Sequence, residues 1–153
     1  MFNIKTNSFN LFLFLIIFIW CLGILAELLL DFFPSLFYLF PFLKYNYSIV
    51  CHTQSDKLLN YFGYHTLVCS RCSGIYFGSL ISIILVLIGF EKSVSTKQLL
   101  LFSIPLFLDV IFTTLNIYPY IYLLSFVTGL LLGSIGFSYI HKLILILFIK
   151  QKG

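Results

Sequence analysis

Cys51-His52 and Cys69-Ser70-Arg71-Cys72 gather three thiols and an imidazole into one short stretch of an otherwise apolar chain. Thiols and imidazoles bind metal ions, exchange electrons or crosslink a loop, and lipid-facing side chains do none of these. Cys69 and Cys72 have the two-residue gap that lets two sulfurs face one ion. Zinc accepts such pairs at about 2.3 Å and usually takes four ligands. Cys51, His52, Cys69 and Cys72 therefore supply a Cys₃His set for zinc or another transition metal, with His65 as an alternative imidazole. Neighbouring side chains diverge in regular structure, which makes Cys51 and His52 awkward as joint ligands.

The same residues carry two other readings. Ser73 follows Cys72 as a candidate N-cap, which places the CxxC just before a helix start. There the helix dipole and Arg71 would both lower a thiol pKa, the condition for a membrane thiol oxidoreductase working through Cys69 and Cys72. A thioredoxin-like βαβ context is absent, and Ser73 stands where covalent haem attachment needs His. Alternatively, a disulfide from Cys51 to Cys69 or Cys72 would tie down the loop in an oxidising compartment. A structural metal or disulfide outweighs catalysis here, so the chain is not expected to be an enzyme. Cys21 reads as a small apolar residue.

The elements that hold these residues are set by composition. The chain is 61% hydrophobic, 20% aromatic and 9% charged, with a mean hydropathy of +1.08. Soluble domains carry roughly a quarter charged residues, so the bilayer must be the solvent for most of this chain. Continuous apolar runs at 10–30, 73–90, 98–115 and 119–140 match the ~20 residues a membrane helix needs. They predict an all-α integral membrane protein: four transmembrane helices in one membrane domain, 1–153, with a long Cys/His-containing loop, 31–72, between helices one and two. Continuous runs exclude the alternation of a membrane β-barrel. The first run exceeds a signal-peptide core and is expected to stay as an anchor. Within the loop, 32–43 is apolar but too short to span, and predicts an interfacial or re-entrant segment.

The net charge of +4 is scattered singly, which excludes a nucleic-acid partner. Lys5, Lys92, Lys97, Lys142, Lys150 and Lys152 fall on the side of the termini, against Lys44, Lys57 and Arg71 on the other. That excess predicts both termini in the cytoplasm, an inner or plasma membrane location, and a Cys/His loop facing out. The bilayer is the expected partner, and a homo-oligomer is needed if four spans are to form a transport path.

Asp109 lies near the middle of the third run. A charge there costs at least about 2.5–3.5 kcal/mol, so it must be protonated, paired or facing a cavity. Thr113 and Thr114 are placed to hydrogen-bond it, and Arg71 or Lys57 reaches it only if that end of the span lies near the loop. Glu27, with Asp31 one turn on, offers carboxylates at the outer end of the first run. A cation or small-solute transporter component using Asp109 is the alternative function. Gly74, Gly78 and Ser82 recur every four residues, as do Ser125, Gly129 and Gly133. They predict a close seam between the second and fourth spans. His141 and Lys142 read as an interfacial anchor, and Asn116 and Pro119 as a tight turn.

The string CHTQSDKLLNYFGYHTLVCSRCSGIYFG resembles the signature of the uncharacterised prokaryotic membrane proteins grouped as domain of unknown function 2085. Cys51, His52, Gly63, Cys69, Arg71, Cys72, Gly74, Tyr76 and Gly78 follow its order, and Asp109 and Thr128-Gly129 through Gly133 look like its later elements. Thr53 and Lys57 depart from it, as does Val110 after Asp109. No Arg precedes Thr128-Gly129, which argues against an Arg–Asp pair inside the bundle. The resemblance implies a small multi-span protein in which Cys51, His52, Cys69 and Cys72 act as one motif. It leaves His65 outside that motif and implies no activity.

Overall fold

The computed structural model describes residues 4–30, 33–51, 57–61, 64–90 and 94–150. It is 82% helical. Helix α1 (Ile4–Ile24) breaks at Leu25 and continues as the short α2 (Ala26–Leu29). The first apolar run is therefore not one straight rod. A 3₁₀ turn, Pro34–Tyr38, leads into α3 (Phe40–Val50). Strands β1 (Leu58–Tyr61) and β2 (Tyr64–Cys69) follow, then α4 (Ser70–Ile88), α5 (Thr96–Thr114) and α6 (Tyr122–Lys150). Among the described residues, three helical segments are long and apolar enough to cross a membrane: Ser70–Ile88, Thr96–Thr114 and Tyr122–Leu147. The apolar stretch of α1, Ser8–Ile24, is shorter.

The segment expected to be a loop is mostly structured, and the all-α expectation needs correcting. β1 and β2 pair antiparallel, with Leu58 opposite Cys69 and Asn60 opposite His65. Thr66, Leu67 and Val68 suit a strand because their stiff or bulky side chains pack on a pleated surface. Val68 is fully buried and Leu67 nearly so.

Local chemistry sets the helix ends. Gly89 closes α4 in the left-handed region, φ 98°, while the Phe90 N–H reaches back to the Leu85 carbonyl at 2.9 Å. Only glycine takes that conformation without strain. Ser95 and Gln98 form a capping box that starts α5. Asn116, φ 53°, makes the turn between α5 and α6.

The predicted seam forms between α4 and α6. A Cβ on Gly74 would strike the Phe126 carbonyl, and one on Gly78 the Leu130 carbonyl. Reciprocally, Gly129 lies on the Arg71 carbonyl and Gly133 on that of Ile75. Backbones this close gain dispersion contacts that lipid cannot supply. Hydroxyls lash the seam: Ser70 donates to the Tyr122 carbonyl at 2.6 Å and Ser82 to that of Ser134 at 2.7 Å. α1 packs on α4, and α5 on α6. α5 buries only Leu106 and Asp109 and exposes Leu100, Phe107 and Ile111 along its length.

His141 corrects its expected role. It does not end α6, which runs on to Lys150, and it is buried at 4% exposure. Its Nε2 lies 2.8 Å from Oδ1 of the fully buried Asn10, joining α6 to α1 at the end away from the cysteines.

Candidate metal centre

Three chain segments deliver the thiols. Cys51 follows α3 in an extended conformation, so it turns off the helix axis, while its N–H still bonds the Tyr47 carbonyl at 3.0 Å. α3 is pinned by Tyr47, whose hydroxyl donates to the Trp20 carbonyl at 2.6 Å and whose ring lies 4.8 Å from the indole. Gly23 makes room for that hydroxyl, which a Cβ would strike. Burial pushes the Tyr47 phenol up to about 12, so it remains a donor. Cys69 ends β2 and is the N-cap of α4, and Cys72 lies in the first helical turn. The expected N-cap, Ser73, is instead inside α4 and fully buried.

The sulfurs of Cys51, Cys69 and Cys72 all lie within 4.8 Å of one another. All are thiols, and no disulfide joins them. The Cys69 N–H donates to Cys51 Sγ at 3.2 Å, a bond that favours a thiolate at Cys51. The shell is apolar: Ile24, Leu67 and Val68 bury the cluster, with Trp20 and Tyr76 packed against it. The Cys69 thiol is pushed above the ordinary cysteine value, first by its hydrogen bond with Cys51. The bond with Cys72 pulls the other way, and burial adds to the rise. This is opposite to the depressed value a thiol nucleophile needs. Arg71, expected to lower it, turns its guanidinium to Asp109 instead.

The donor set fits a soft cation. Tetrahedral zinc with bonds of about 2.3 Å holds its sulfurs about 3.8 Å apart, a spacing these thiols reach with small side-chain movements. Several thiolates this close against apolar side chains repel unless a cation compensates them.

His52 lies outside the described residues, as does Asp31. His65 is on β2 with an exposed side chain, and the structure does not bring it into the sulfur group. Its backbone N–H donates to Glu27 Oε2 at 2.8 Å. Glu27 thus ties α2 to the hairpin.

Beside the thiols lies a second polar cluster. Asp109 is 3% exposed and lies just past the middle of α5, toward its C-terminal end. Arg71 Nε and Nη2 donate to its Oδ2 at 3.0 and 2.5 Å. Ser125 donates to the same oxygen at 2.9 Å, and Tyr118 to Oδ1 at 2.5 Å. The argument against an Arg–Asp pair fails because Arg71 comes from the CxxC itself. Thr113 and Thr114 do not serve the carboxylate: their hydroxyls bond the Asp109 and Val110 carbonyls of their own helix. Lys57 lies over the Tyr120 ring, 5.9 Å from its centre. Tyr118 escaped the sequence reading, and Ser125 was read only as part of the seam. Its place in that seam is the signal that puts a hydroxyl where α5 meets α6.

The family model for domain of unknown function 2085, described as a predicted membrane protein, matches residues 51–139. The chain belongs to this family. No curated protein and no solved structure matches it. The DUF2085 segment opens on Cys51 and holds all three clustered thiols, Arg71, Asp109, Tyr118 and the whole α4–α6 seam. α1 and α3, which supply Trp20 and Tyr47, precede it.

Proposed function

We propose that this DUF2085 protein is a single-domain, four-span protein of the inner or plasma membrane, with both termini cytoplasmic, whose outward Cys51, Cys69 and Cys72 hold one zinc or similar soft metal ion. His52 is the proposed fourth ligand. The role is structural: the ion would join the end of α3, the end of β2 and the first turn of α4. The observation that carries this reading is the convergence of three cysteine sulfurs from three segments within 4.8 Å of one another. When bound, the ion supplies the positive charge that lets closely spaced thiolates coexist. α1 is the proposed fourth span, its polar first residues reaching the membrane surface.

Cobalt titration of the purified, reduced protein tests the site. A thiolate-to-cobalt charge-transfer band saturating near one equivalent, and lost in Cys51→Ser, is expected. A spectrum unchanged by Cys51→Ser rejects it. The topology is checked with a membrane-impermeant thiol reagent on intact cells. Metal-depleted cells should label at Cys69 from outside, and labelling only after lysis reverses the orientation.

A further inference from the structure

We propose that the Arg71–Asp109 ion pair is the positioning element of the three-thiol site. This deepens the reading of those sulfurs as one site, but it concerns their placement and stands whether or not a metal fills it.

Arg71 lies between Cys69 and Cys72, so whatever fixes Arg71 fixes the turn that carries both. Besides the Cys69 N–H bond to Cys51 Sγ, three contacts tie the turn to the neighbouring helices. Ser70 donates to the Tyr122 carbonyl at 2.6 Å, and the Arg71 carbonyl rests on Gly129. The Arg71 guanidinium makes its two bonds to Asp109 Oδ2. The first two set how deep and how close α4 lies against α6. Only the guanidinium reaches α5, where it also lies 3.4 Å from the Thr113 hydroxyl, and so it braces the turn against rotation about the α4 axis from that side. Such a rotation would swing Cys72 away from Cys51, which sits on a separate segment. The two bonds come from one rigid planar group, so they fix direction as well as distance. Asp109 is itself immobilised by Tyr118 on one oxygen and Ser125 on the other. Without the acid, a long cationic side chain at a helix start turns toward water and headgroups. The turn would follow it.

The test uses the full chain, reduced and metal-free, in lipid nanodiscs. Dibromobimane becomes fluorescent only when it bridges two nearby thiols, and so reports sulfur proximity without any metal. Cobalt affinity is read in parallel, and helix content by circular dichroism. Asp109→Asn keeps size and polarity but removes the charge. It should retain helix content, lose bridging several-fold and weaken cobalt binding by about 10–100-fold, the usual effect of disturbing a ligand's support. Arg71→Lys should fail likewise, since an ammonium lacks the fork. The double variant Arg71→Gln/Asp109→Asn should be no worse than either single change. If Asp109→Asn does not fold, Tyr118→Phe and Ser125→Ala take its place, each with a smaller loss. Folded variants with unchanged bridging overturn the proposal. A wild-type protein that bridges but shows no cysteine-dependent cobalt band rejects the metal reading alone, and bridging then decides the positioning claim.

Discussion

Two polar clusters meet at the start of α4, one residue apart in sequence, and they differ in how completely they are satisfied. Around Arg71, an acid and a base meet directly, and Asp109 also accepts from Tyr118 and Ser125. Around Cys69 and Cys72, three sulfurs converge on one another inside an apolar shell. A saturated ion pair holds structure and has little left to offer a passing cation. Converging thiols are a ligand set that a soft cation completes. The contrast supports the proposal that the chemistry lies at the sulfurs and the architecture at Asp109. It weakens the transporter reading, in which Asp109 would have to bind and release cargo.

Several substitutions can break or sharpen this contrast. Asp109→Ala strips the partly buried Arg71 of its acid and the Tyr118 and Ser125 hydroxyls of their acceptor, and should cost about 3 kcal/mol in unfolding experiments in detergent. Replacing both residues by Leu should recover most of that loss. A silent Asp109→Ala would mean the pair holds nothing. Next in size is the seam on which the pair leans. Gly133→Ala drives a Cβ into the Ile75 backbone and should cost about 1–3 kcal/mol. Gly136→Ala, where nothing lies within 4 Å, should not destabilise. Equal effects would dissolve the seam argument.

The imidazoles sharpen the thiol side. His52→Ala should weaken cobalt binding by about 10-fold or more, and His65→Ala should leave it unchanged. The reverse pattern would move the fourth ligand to the hairpin. The smallest effect is at Tyr118, whose phenol is held above its usual value chiefly by the hydrogen bond to Asp109. A raised value means its contribution is complete below about pH 10 and fades as pH climbs past that point. A stability scan from pH 8 to 11 should show that loss in the wild type and not in Tyr118→Phe.

Much of this arrangement was legible in the residues. Small residues every fourth position announced the α4–α6 seam, because only a close backbone approach needs such spacing. The thiol cluster was legible as a motif, since two of its sulfurs are bound by a fixed gap. The hairpin was not, because a short strand among apolar residues gives too little alternation to stand out. The Arg71–Asp109 pair was legible only as a condition. Nothing in the chain says how far along α5 the loop end falls, and that register brings the two residues together. His141 misled for a related reason: a helix running past the expected membrane edge makes an apparent terminus into an interior position.

If the three sulfurs act as one metal site, the ion should travel with the protein, and metal content reports it. Protein purified without chelator and analysed for bound elements should carry about one zinc or similar ion per chain, and Cys72→Ser should carry none. A wild-type protein free of metal with all its thiols titratable, or a Cys72→Ser variant that keeps its ion, would contradict it.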